Sequence, residues 1–467
     1  MTTQSLPTLE LPPPPQRPDT DHRATRARAA RPWARWWNKL ADPQTRRGLW
    51  ALTDQAVVSG TGFATAVLLG RICSQDDLGV YYLALGLVLF VRGIQERLIS
   101  APYMVLWSRR DTHRQATYAG STLVHQMVFS ACTLLGFLAL MAILWVAGRE
   151  LIPSSVVWAM LGALPFLLLR EYARQFTFAH LRFALAALLD STVAATQLGA
   201  LVVLAYLGRL TVGSVYLVMG LGCALACLVW WIASRHHWQF LVTHVALDWR
   251  HNWAFGKWIL AGQLVQSIVP FLMPWALAWL HGTDATGLLA ACATLAGFAN
   301  VLVTGLGNQL TPEAATAFAA RGPAGLRLVL RRSTAVFAAT LGTLSLAFLL
   351  AGNRLMVLVY GHEFAGAGPI LVVLALATFV SSIELVAGNG LWAMELAQAN
   401  FVADVASLAV SVLAAICMLP FLGALGVALA TLTGSAGGAT VRLATLRRHL
   451  RQAERHTDQG LAQGTRA

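Results

Sequence analysis

Three charged side chains lie deep in an apolar part of the chain. In "FVRGIQERLIS", residues 90–100, Arg92, Glu96 and Arg97 close an unbroken hydrophobic run that starts near Leu78. Two chemistries suit them. Arg92 and Glu96 are four residues apart, so on a regular helix they share a face and can neutralise each other. Alternatively, the guanidinium fork of Arg92 binds phosphate oxygens, a contact that a low-dielectric surrounding strengthens. Arg97 either joins that site or snorkels to the interface. With a helix ending near Ser100, Arg92 lies about 12 Å from that end at 1.5 Å per residue. A charge at such depth costs at least a few kcal/mol and is expected to face the protein interior or a wet cavity.

The elements that position these residues are membrane-spanning helices. Of 467 residues, 57% are hydrophobic and 12% charged, and mean hydropathy is +0.61, which excludes a soluble globular domain. Apolar stretches recur that can each cross a hydrocarbon core of about 30 Å. They are continuous, whereas barrel strands alternate, so an all-α integral membrane fold is expected. Twelve spans are predicted, at 48–70, 79–101, 118–147, 154–173, 183–207, 211–234, 254–280, 285–309, 333–358, 367–391, 400–420 and 423–446. The chain then divides into a Pro/Arg-rich cytoplasmic tail (1–45), a six-helix bundle (46–235), a cytoplasmic linker (236–253), a second six-helix bundle (254–447) and a cytoplasmic tail (448–467).

Formal charge is +13, yet the basic residues sit at the ends of apolar runs, which points to topology and excludes a nucleic-acid partner. Loops and tails on one side hold about seven Lys or Arg for each one on the other, where only Arg71, Arg149, Arg209 and Arg354 stand. Both termini are therefore expected in the cytoplasm. In that count Arg170, Arg174 and Arg442 serve as interface markers. The tail "LPPPPQRP" followed by "HRATRARAARPWARWWNK" has no signal-peptide core, so it reads as uncleaved, either lying on anionic lipid or simply solvated. Six cysteines are scattered, and Cys223 and Cys227, one helical turn apart, have no His or acidic neighbour, so neither a metal nor another cofactor is expected. Outer loops are too short for a catalytic domain.

An internal repeat is also legible. "LLGRICSQDDLGVYYLALGLVLFVRGI" and "LAWLHGTDATGLLAACATLAGFANVL" align with Gly79 over Gly287 and Asp76 over Asp284. An even number of helices per half makes this a parallel repeat about an axis along the membrane normal.

Three segments carry a resemblance to a known family. "LGRICSQDDLGVYYLA" (69–84), "VYGHEFAGAGPILVVLALATFV" (359–380) and "LPFLGALGVALATLTG" (419–434) look like recurrent segments of polysaccharide transporters. These are the oligosaccharide flippases of the multidrug/oligosaccharidyl-lipid/polysaccharide exporter (MOP) superfamily. Tyr360, Gly361 and Phe364 fit the turn that opens the family's tenth helix. Pro420, Gly423 and Gly426 fit the one that opens its twelfth. The resemblance implies two lobes in a V around a central cavity, alternating access, and a polyprenyl-diphosphate-linked oligosaccharide as cargo in a bacterial inner membrane. Its partners would be that lipid-linked glycan, membrane lipids, and the polysaccharide polymerase and glycosyltransferases of the same route.

The resemblance further implies that the first, second, seventh and eighth spans line the cavity. Arg92 and Arg97 would then meet the diphosphate. Asp54, Gln55, Gln263, Gln266, Asn300 and Asn308 would meet sugar hydroxyls, or serve as interhelical glue. Pro270 and Pro274 would kink the seventh span, statically or as a hinge. Glu96, Asp190 and Glu384 are acids able to carry a coupling ion, or partners for an arginine.

Two other functions compete. A multidrug exporter of the same superfamily would want acids and aromatics in its cavity, where the second span offers arginines. A membrane glycosyltransferase or polymerase would use Asp76 and Asp77 in the first outer loop. An ATP-driven exporter is excluded, because no Gly-x-x-x-x-Gly-Lys-Ser/Thr loop occurs and the only lysines are Lys39 and Lys257.

Overall fold

The computed structural model describes residues 43–146 and 152–464, and these are helical almost throughout, with no strand among them. The predicted tail of residues 1–45 falls almost entirely outside them. A short unit ends at Leu52, and the larger one is Thr53–Ala467. Helices follow one another as α1 (Pro43–Ile72), α2 (Gln75–Gln95), a π turn (Glu96–Ser100), α3 (Ala101–Leu106), α4 (Thr112–Val146), α5 (Ser154–Ala179) and α6 (Phe183–Tyr206). After them come α7 (Val212–Ser234), α8 (Val242–Ala296), α9 (Phe298–Tyr360), α10 (Gly368–Ala393) and α11 (Ala397–Gly464). Among the described residues, eight stretches are long and apolar enough to cross a membrane.

Three long helices fold back on themselves, each at a glycine whose positive φ side chains avoid: Gly282 in α8, Gly322 in α9 and Gly423 in α11. Twelve residues of straight helix would separate Pro274 from Thr286 by about 18 Å. Instead the Thr286 hydroxyl lies 3.5 Å from the Pro274 carbonyl. A Cβ on Gly426 would come 2.6 Å from the Met418 carbonyl, so past Gly423 the chain packs against the limb it has just left. The expected tight turn at Gly423 and close approach at Gly426 are both present.

Two expectations about boundaries change. The second span does not end near Ser100 but continues as a candidate span Gln75–Arg109, with Pro102 inside it. The predicted linker 236–253 is largely helix, since α8 starts at Val242. It is tied to the first half by Arg110 to Asp248 (3.2 Å) and Tyr118 to Asn252 (2.7 Å).

Both halves contribute to one large core, which runs from Ala66 through Tyr216 and Leu289 to Ala430. A second core has its buried residues within 98–238, with Trp249 and Leu260 of α8 packed against it, and a third is built only from 299–450. The halves thus share a core at one end and have their own at the other.

At the shared end, the repeated sequences meet. Ser74 caps α2 in a capping box with Asp77, and Asp76 accepts a hydrogen bond from Thr283. Both acids of the first outer loop therefore hold helix ends and the seam. A Cβ on Gly79 would fall 1.8 Å from the Thr283 carbonyl oxygen, and one on Gly287 would fall 1.9 Å from that of Gln75. Each glycine thus packs on the residue four before the other, the reciprocal contact that a pseudo-two-fold axis produces. Arg71, on the same seam, donates to the Val359 carbonyl at 2.6 Å.

Gly79→Ala and Gly287→Ala should each destabilise the protein by at least about 1–3 kcal/mol through overpacking. Gly60→Ala, whose Cβ meets nothing within 4 Å, should stabilise by up to about 1 kcal/mol. Melting of the purified protein in detergent distinguishes the two signs.

Candidate functional site

Arg92 is the middle residue of the 35-residue candidate span Gln75–Arg109. Just beyond it the helix slips. Pro102 has no N–H to give the Leu98 carbonyl and its ring crowds that oxygen, so the hydrogen bonds lengthen by one residue. The Ala101 amide accordingly donates to the Glu96 carbonyl.

The Arg92–Glu96 pair does not form. Arg92 Nε lies 3.2 Å from Glu171 Oε2 on α5, and Glu96 lies 3.5 Å from Arg97. Burial explains the choice: the Glu171 side chain is 2% exposed and Glu96 is 33% exposed. A carboxylate stripped of water needs a cation far more than a hydrated one.

Glu171 belongs to a cluster that α1, α2, α5 and α6 assemble. Arg170 bridges Glu171, at 3.4 Å, and Asp190. Arg174 reaches Asp54 at 2.5 Å, Asp190 at 3.0 Å and Glu171 at 3.7 Å. Three arginines meet three acids, so the cluster is neutral. Arg170 and Arg174 are therefore interior residues and not interface markers, and α5 continues past both to Ala179. Asp54 is buried against Arg174 and not open to a polar cavity. Asp190 holds two arginines.

Arg92 and Arg97 differ from the rest, with side chains 32% and 31% exposed. Arg97 donates to Gln263 Oε1 at 3.0 Å, which links the π turn after α2 to α8. Gln263 in turn donates to Ser267 at 3.1 Å, while Gln55 is exposed and donates to Ser59 at 3.2 Å. The side chain of Asn308 lies outside the described residues.

One turn from Gln263, Gln266 opens onto a cavity of about 720 Å3 in the second half. Its walls include Tyr82, Pro270, Pro274, Asn300 and Trp392, and its polar side is formed by Glu384, Asn400, Asp404 and Arg442. Arg442 pairs with Glu384 and, at 2.5 Å, with Asp404, and its Nε donates to Asn400 at 3.1 Å. This second cluster holds two acids and one arginine, a net charge of −1 when all are ionised. Its volume suits a small organic ligand or one or two sugar rings.

Sequence reasoning located Gln266, Asn300 and Glu384 but missed Asp404, Arg442 and Trp392 as neighbours. Arg442 was available as a signal, because it stands among apolar residues like Arg92. Its partners come from positions 38 and 58 residues away, on the limb of α11 before Gly423 and on α10.

No protein-family profile matches the sequence, and no curated protein does. Solved structures match the fold. The lipid II flippase MurJ, in an inward closed conformation, superposes with a TM-score of 0.69 at 14% identity, over 85% of this chain and 87% of that one. An inward-facing multidrug resistance MATE family transporter of the MOP superfamily gives 0.63 at 13% identity, over 88% and 96%. A MOP superfamily transporter from Pyrococcus furiosus, described as having a binding pocket of reverse polarity, gives 0.62 at 12% identity, over 88% and 95%. The chain has the all-helical fold of MOP superfamily transporters.

Arg174→Ala, which leaves Asp54 and Asp190 short of a cation, should cost about 3–5 kcal/mol. Gln55→Ala, on an exposed face, should stay within about 0.5 kcal/mol. Equal melting temperatures for the two variants would refute the assigned roles.

Proposed function

We propose that this chain is a transporter and not an enzyme: a flippase that carries a polyprenyl-diphosphate-linked oligosaccharide from the cytoplasmic to the outer leaflet by alternating access. The observation that carries the reading is the state of Arg92 and Arg97. Both stand inside a span, about a third exposed and each with a single acid partner, whereas Arg170 and Arg174 are less exposed and sit among two and three acids. Guanidinium groups at that depth are costly unless they serve something, and a diphosphate offers two phosphoryl groups to two forks. Gln263 holds Arg97, and Gln266 and Asn300 lead on toward the cavity that would receive sugar hydroxyls. Glu384 faces that cavity and is the acid placed to couple an ion to transport. Like Asp190 and Glu96 it is paired with an arginine, but neither of those two lines the cavity.

The fold supports the reading to the extent that one of its counterparts is a lipid II flippase and others are multidrug transporters. On this reading the chain works in a bacterial inner membrane with both termini cytoplasmic. The glycosyltransferases that build the glycan and the polymerase that extends it are its functional partners.

A specific observation favours a second reading, export of small organic cations. The second-half cavity carries surplus negative charge and an exposed Trp392, which together suit a cation with an apolar body.

The test follows transbilayer movement of a labelled polyprenyl-diphosphate oligosaccharide in vesicles holding purified protein. Arg92→Ala leaves Glu171 with Arg170 and Arg174 as neighbours, so the fold is expected to survive. Loss of a charged hydrogen bond should slow movement roughly ten- to a hundredfold. Movement unaffected by either Arg92→Ala or Arg97→Ala would refute the diphosphate role. Cation efflux that Asp404→Asn abolishes, with no lipid movement, would establish the second reading.

A further inference from the structure

A second basic site lies apart from both charge clusters. Where the last apolar span ends, α11 continues and presents Arg447, Arg448, Arg451 and Arg455 around a concavity of about 450 Å3, with Gln452 beside them. At 3.6 residues per turn the four arginines occupy an arc of about 100° of the helix surface. All four are exposed, and no acid pairs with them among the described residues. The nearby Glu454 is drawn aside by Arg327, at 2.8 Å.

The rest of this helix segment is anchored. Leu446 and Leu450 are 5% exposed and pack in the same core as Leu326 and Leu330. The basic face is therefore fixed in direction and not a frayed end. It begins one residue beyond the apolar run predicted at 423–446 and extends about 12 Å along the helix, a length that covers the headgroup layer beside a hydrocarbon core. Four like charges brought together on an anchored face repel one another unless an anion joins them.

We infer that this face is a binding site for the phosphate of an anionic phospholipid headgroup, which docks the end of α11 on the membrane surface. Arginine suits such a ligand because its planar fork engages two phosphate oxygens at once, and basic clusters next to a span attract anionic lipid. The site is independent of the transported cargo, since none of its residues lines the cavity or the first-half cluster.

The test measures melting of the full-length protein in a neutral detergent while phosphatidylglycerol, phosphatidylcholine or inorganic phosphate is titrated in. Phosphatidylglycerol should raise the melting temperature saturably and phosphatidylcholine should not. The R447Q/R448Q/R451Q/R455Q variant should require roughly a hundredfold more phosphatidylglycerol, or more, for the same rise. R109Q/R114Q/R235Q/R250Q, which removes the same charge elsewhere, should respond as the native chain does. An equal response in both quadruple variants, or none in the native protein, overturns the site. The same rise with inorganic phosphate overturns the lipid assignment.

Discussion

An ionised group inside a membrane span must be matched by an opposite charge or by water, and much of this structure follows from that requirement. Arg170 and Arg174 would be prohibitively placed alone. With Asp54, Glu171 and Asp190 around them, and Arg92 on Glu171, they become the joint at which four helices meet. Removing Arg174 strands Asp54, while Glu171 and Asp190 each keep another arginine, so the joint depends most on Arg174. It is worth less as a source of stability than as a specification of which helices lie side by side.

The two halves solve the same problem differently. In the first, three arginines meet three acids, and the partly exposed cations are Arg92 and Arg97, each with one acid partner. In the second, Arg442 is shared by Glu384 and Asp404, and the excess acid faces an open cavity. A ligand with an anionic end and a neutral or cationic remainder would meet complementary charge at each. Arg97 and Gln263 form the bridge between the two environments.

Close backbone contact joins the halves where Gly79 and Gly287 meet, and only residues without a Cβ allow it. This seam is what the repeat in the sequence encodes: equivalent glycines on equivalent helices, each packed on the other's preceding turn. At the opposite end the halves have separate cores, with α8 tied back to the first half by Asp248 and Asn252. There too the backbones approach closely, since a Cβ on Gly256 of α8 would fall 2.5 Å from the Arg97 carbonyl oxygen.

Hydropathy and arginine placement alone determined that this is a helical membrane protein, and the aligned glycines determined that it is a repeat, because both are one-dimensional signals. The turns at Gly423 and Gly361 were legible for the same reason, since a left-handed residue declares itself as glycine. Which acid an arginine chooses was not legible. Glu96 is nearest Arg92 along the helix, yet Glu171 holds it, because desolvation ranks partners by burial, and burial exists only once helices pack. For that reason Arg170, Arg174 and Arg442, which look like interface markers in a linear count, proved to be interior residues. The cavity around Glu384 and Asp404 likewise has no linear signature, since its walls come from five helices and only the tertiary fold brings them together.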